Sequence, residues 1–107
     1  MINKLPANIR FVNLFMKLQK EAGVVDVSSL KYAKFDMQDI VHQIDDDKML
    51  EKLIRFYMLY SDHKTFKDFF SNYGSYYDSM LSVIADRALR KSLREQTILK
   101  KGDSVGS

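Results

Sequence analysis

Apolar positions recur along this chain at intervals of three and four. Leu5, Ile9, Val12 and Met16 form one stripe, and Phe11, Phe15 and Leu18 form a second beside it. That spacing belongs to a helix buried on two sides. Pro6 sits just inside the start, where its missing N–H does no harm, and Gly23 is a natural stop. The pattern predicts a first helix over residues 5–22.

Residues 24–35 read VVDVSSLKYAKF. Val24, Val25 and Val27 suit a strand, but nothing else in the chain alternates with period two to pair with one. A loop with one helical turn is expected, with Ser28 or Ser29 capping a turn through Tyr32 and Ala33.

The next stretch, FDMQDI, carries a helix-start signature. Asp36 can accept from free backbone N–H groups, Asp39 can reach back, and Phe35 and Ile40 have the spacing of a hydrophobic staple. A second helix is predicted over 37–44, with Met37, Ile40, Val41 and Ile44 inward. Asp45, Asp46 and Asp47 then precede a new period of Leu50, Leu53, Ile54 and Tyr57. Met49, Phe56, Met58, Leu59 and Tyr60 cover much of the remaining surface. A helix apolar nearly all round is central, so the third, over 47–60, is expected in the middle of the core.

Phe66, Phe69, Phe70 and Tyr73 continue at i, i+3, i+4 and i+7. Gly74 fits a left-handed helix end, and Ser75 with Asp78 makes another capping pattern. A fifth helix is predicted from 76 to 100, with Tyr77, Leu81, Ile84 and Ala88 on one face, continued by Ala85, Leu89 and Leu93. Gly102 ends it. The pattern as a whole predicts an all-α fold: a compact bundle of about five helices with a long basic C-terminal helix. It reads as a single helical domain over 1–102 and a disordered tail over 103–107.

The 107 residues suffice for a real core without staples. Cysteine is absent, which removes disulfides, thiolate metal sites and Cys nucleophiles. The N-terminal segment is broken by Lys4, Arg10 and Lys17, unlike a signal peptide, and no run approaches a membrane span. A cytoplasmic protein with no membrane partner is expected. The bias towards Lys, Asn, Ile, Tyr and Phe suits an AT-rich genome, such as that of a bacteriophage or a low-GC bacterium.

Charge changes the picture more than composition does. Residues 1–85 carry 11 Lys/Arg against 11 Asp/Glu, whereas residues 86–101 carry six basic residues against Asp86 and Glu95. The formal excess of +3 is therefore concentrated at the C-terminus. At 100° per residue, Arg87, Arg90, Lys91, Arg94 and Lys101 fall within an arc of about 100°. This cationic ridge suits contact with phosphates or with an acidic protein surface. It also suits a solvated helix end favoured by the dipole.

Other chemistry is thin. Ser61, Asp62 and His63 are triad residue types, but chain neighbours point in different directions, so a cap followed by a surface His is the plainer reading. His42 is expected to be a partly buried structural residue. The aspartate triplet is better explained by helix capping than by a metal. There is no phosphate loop, and no cofactor or catalytic residue is assigned. Helix-turn-helix is disfavoured because Phe70 stands four residues before Gly74, where a small residue is needed, and rings follow the turn instead of base-reading side chains.

Nine of the thirteen aromatics lie between Phe56 and Tyr77. Rings at helical spacing are ordinarily core. Tyr76 is the exception by position, with Tyr73 behind it and Met80 nearby, and these three are the expected partner-binding residues. The leading expectation is a small non-enzymatic accessory protein that binds a macromolecular partner, foremost a protein. The alternative is DNA or RNA binding through the basic ridge. The last helix, apolar on one side and basic on the adjoining side, could also pack against a partner helix or a second copy, so a homo-oligomer stays open.

Overall fold

The computed structural model describes residues 5–26 and 30–106, with side chains described through Glu95. Four helices follow one another: α1 (Ala7–Glu21), α2 (Ala33–Ile44), α3 (Asp47–Tyr60) and α4 (Phe66–Gly106). The fold is all-α, and no strand occurs among the described residues. Two compact units divide the chain, one through Tyr76 and one from Tyr77 onward.

The first unit contains α1, α2, α3 and the start of α4. α1 ends as its sequence predicts. Gly23 takes φ +75°, its N–H donates to the Lys20 carbonyl, and the Val24 N–H donates to the Gln19 carbonyl. This paired closure satisfies carbonyls that the helix end would leave open. Val27 and the expected caps Ser28 and Ser29 lie outside the described residues, and residues 30–32 turn directly into α2.

α2 begins one turn earlier than the capping signature implies. Its N-cap is Tyr32, with no side-chain cap bond. Ala33, Met37 and Ile40 are all buried, and these positions share one helical face. Burying Ala33 with that stripe pulls the helix start back. Asp36 then falls inside the first turn, and Phe35 is 74% exposed instead of stapled to Ile40.

The aspartate triplet divides its labour. Asp45 closes α2 in the left-handed region, at φ 50°. Asp46 caps α3, its Oδ1 accepting from the Met49 N–H at 3.1 Å. Asp47, in the first turn of α3, meets Arg10 of α1 at 3.2 Å. Among the described residues, no acidic or histidine cluster is arranged to hold a metal ion.

The core centres on Phe15, which is fully buried. Its ring lies 5.9 Å from Tyr57, 5.3 Å from Phe66 and 5.2 Å from Phe69. Burying one such ring is worth about 2–3 kcal/mol. Leu50, Leu53, Ile54, Tyr57 and Met58 make α3 a main contributor to the core.

Among the described residues four helices carry the fold where about five were expected, because α4 does not break at Gly74. Gly74 lies within the helix, and among the described residues Gly23 is the glycine with positive φ. The reason lies in the rings. Phe66, Phe69, Tyr73 and Tyr76 follow one helical stripe straight through position 74. The edge of one ring meets the face of the other where Tyr76 packs on Tyr57, at 4.9 Å, and a turn at Gly74 would rotate Tyr76 off that contact. Ser75 and Asp78 are therefore mid-helix residues.

Candidate functional site

The segment joining α3 to α4 holds the densest polar network. The Tyr57 hydroxyl donates to Asp68 Oδ2 at 2.7 Å and accepts from the Thr65 N–H at 3.2 Å. Ser61 Oγ accepts from the N–H groups of His63 and Lys64. Thr65 Oγ1 accepts from the Asp68 N–H, and Asp26 Oδ2 accepts from the Phe66 N–H. Buried Gln19 ties the region to α1 by donating to Asp26 Oδ2 at 2.7 Å and to the Lys64 carbonyl at 3.0 Å. These bonds satisfy the donors that a helix start leaves open. Burial pushes the Tyr57 hydroxyl well above the usual tyrosine value, and the Asp68 carboxylate pushes the same way.

That network answers the triad question in chemical terms. Ser61 Oγ faces backbone N–H groups of its own turn and serves as their acceptor, and His63 is exposed. A shallow open depression of about 240 Å³ lies nearby, lined by His63, Thr65, Lys67, Asp68 and Ser71. Its carboxylate, Asp68, is already held by Tyr57. His42 is exposed, contrary to expectation, and sits 3.3 Å from Gln38 on the outer side of α2. The buried stripe of α2 runs through Ala33, Met37 and Ile40, and His42 falls on another face.

The expected partner-binding residues divide between the two units. Tyr73 and Tyr76 belong to the first, and both are half-buried. Tyr73 lies 6.4 Å from Phe69 and 6.3 Å from Phe70, and Tyr76 leans on Tyr57. Met80 belongs to the second unit and is 3% exposed.

The second unit presents a different surface. Arg87, Arg90, Lys91 and Arg94 are all exposed. Arg90 bridges Asp86 at 3.0 Å, and no salt bridge engages the other three cations among the described residues. The Lys101 side chain lies outside the described ones. Beside the ridge runs an exposed apolar stripe. Leu81 and Ile84 are 38% exposed, Leu89 58% and Leu93 52%. Ala85 and Ala88 lie between them and are exposed too. By helical rotation, Ile84, Ala88, Leu81, Ala85 and Leu89 span about 140°, and the ridge adjoins the Ile84 edge. An apolar stripe flanked on one side by guanidinium groups suits a surface that is itself apolar and acidic.

No family model matches the chain, and neither a curated protein nor a solved structure is significantly similar to it. Among the described residues, no helix is long and apolar enough to cross a membrane.

Proposed function

We propose that this chain is a small non-enzymatic accessory protein of the cytoplasm, acting by binding a macromolecular partner, and that the partner is a protein. One observation carries the reading: exposed Leu81, Ile84 and Leu89 lie beside exposed Arg87, Lys91 and Arg94 on one helix. The apolar side chains supply affinity by burial, and the cations supply steering and orientation. Tyr73 and Tyr76 of the first unit are a proposed second contact, while Met80, being buried, is left out of it.

Nucleic-acid binding is the competing reading, and the same ridge favours it. Phosphates would engage the guanidinium groups but leave the leucine stripe uncovered. Fluorescence anisotropy with labelled random-sequence DNA and RNA, single- and double-stranded, separates the two. The protein reading expects little binding at near-physiological salt. Tight binding that falls steeply with salt, and is abolished by reversing Arg87, Arg90, Lys91 and Arg94 to Glu, overturns it in favour of nucleic acid.

A further inference from the structure

We infer that the partner presents an acidic amphipathic helix, which lies along α4 over Leu81, Ile84, Ala85, Ala88 and Leu89 and sets its carboxylates against Arg87, Lys91 and Arg94. This rests on the protein-binding reading and specifies the partner's chemistry.

Three features point to a helix. The stripe is borne on one helix, and from Leu81 to Leu89 it extends about 12 Å, a little over two helical turns for a partner helix to follow. Its relief alternates: Leu81 and Ile84 stand at one end, Leu89 at the other, and Ala85 and Ala88 leave a notch between them. A large side chain on an opposing helix fills such a notch as a knob fills a hole. The cations follow the same axis in successive turns, so one row of carboxylates on a partner helix meets Arg87, Lys91 and Arg94 together.

Other occupants fit less well. A second copy brings the same ridge, and this unit carries six basic residues against Asp78, Asp86, Glu95 and Asp103, so two copies meet with like net charge. Asp86 is already engaged by Arg90. An anionic lipid surface takes up large apolar side chains, and the two alanines at the centre of the stripe give it little area to bury.

The test titrates the full-length protein into a labelled Leu/Glu amphipathic peptide of about six helical turns. Parallel titrations use the same peptide with Lys for Glu, phosphatidylglycerol vesicles and a single-stranded oligonucleotide. The Leu/Glu peptide should bind at least about tenfold more tightly than the Leu/Lys peptide. Leu89→Asp, and separately Arg87→Glu with Arg94→Glu, should each weaken that binding by about tenfold or more with the circular dichroism spectrum unchanged. If Leu89→Asp lowers helicity, the charge-reversed pair decides. Equal binding of the two peptides, indifference to the charge reversal, or tighter binding of vesicles or oligonucleotide overturns the inference. A protein held equally well by wild type and by the charge-reversed pair would keep the protein-binding reading and sink this one.

Discussion

The hydroxyl of Tyr57, on α3, donates to the carboxylate of Asp68, in the first turn of α4, at 2.7 Å. The same hydroxyl accepts from the Thr65 N–H just before that helix. One buried side chain thus fixes where α4 begins and which way it leaves α3. Tyr57→Phe keeps the ring and removes both bonds, leaving a part-buried carboxylate and an N–H with one partner fewer. It should cost about 1–3 kcal/mol, measured by urea unfolding at neutral pH.

The same residue makes a pH prediction. The folded protein holds the Tyr57 proton more firmly than the unfolded chain does, because burial and Asp68 raise its pKa. Stability from this group is therefore complete below the ordinary tyrosine value of about 10 and is lost as pH rises beyond it. The loss should approach about 1.4 kcal/mol per pH unit. Unfolding curves at pH 8, 10 and 11 should show the gap between wild type and Tyr57→Phe narrowing at alkaline pH. A constant gap would mean that Tyr57 is not protected in the folded state.

Gly74 sits inside α4, and a Cβ built there meets nothing within 4 Å. Glycine in a helix interior costs about 0.5–1 kcal/mol relative to alanine. Gly74→Ala should therefore raise stability by about that amount and lift the thermal midpoint by a few degrees. A lowered midpoint would show that the backbone leaves the helix at this position.

The aspartates at the head of α3 should separate by role. Asp46→Ala removes the acceptor of the Met49 N–H and should cost about 1 kcal/mol. Asp47→Ala removes an exposed pairing with Arg10 and should cost clearly less. Thermal unfolding in EDTA and in millimolar Mg²⁺ should give the same order, because capping needs no metal.

Tyr76 and Leu89 should behave oppositely. Tyr76→Ala removes a ring packed against Tyr57 and should destabilise by about 1–2 kcal/mol. Leu89→Asp alters an exposed position and should change stability by less than about 0.5 kcal/mol. Equilibrium unfolding of the two variants gives both numbers.

Helical periodicity made most of the fold legible. The stripes through Phe11 and Phe15, through Leu50 to Tyr57, and through Phe66 and Phe69 all end in the core. Local punctuation was less dependable. Gly23 ends its helix in the left-handed conformation, closed by its own N–H and that of Val24. Gly74 does not, because Tyr76 prolongs the ring row that packs on Tyr57. The capping signature at Asp36 lost to the burial of Ala33 for the same reason: long-range packing outweighs a local cap worth about 1 kcal/mol. In the candidate site, the exposure of the ridge from Arg87 to Arg94 could be read from charge spacing alone. The exposure of Leu81, Ile84 and Leu89 could not, since an apolar stripe looks the same in sequence whether or not the fold covers it. The links from Asp26 and Gln19 to the head of α4 were also invisible, because they join residues far apart in the chain.

The most direct test of the central claim is capture from nuclease-treated native extract on immobilised full-length protein, wild type against Arg87→Glu with Arg94→Glu. The account predicts a protein that wild type retains and the variant loses, with retention weakening as salt rises. Equal retention of a protein by both would remove the ridge from the contact, and retention of no protein, or only of material that nuclease removes, would contradict protein binding itself.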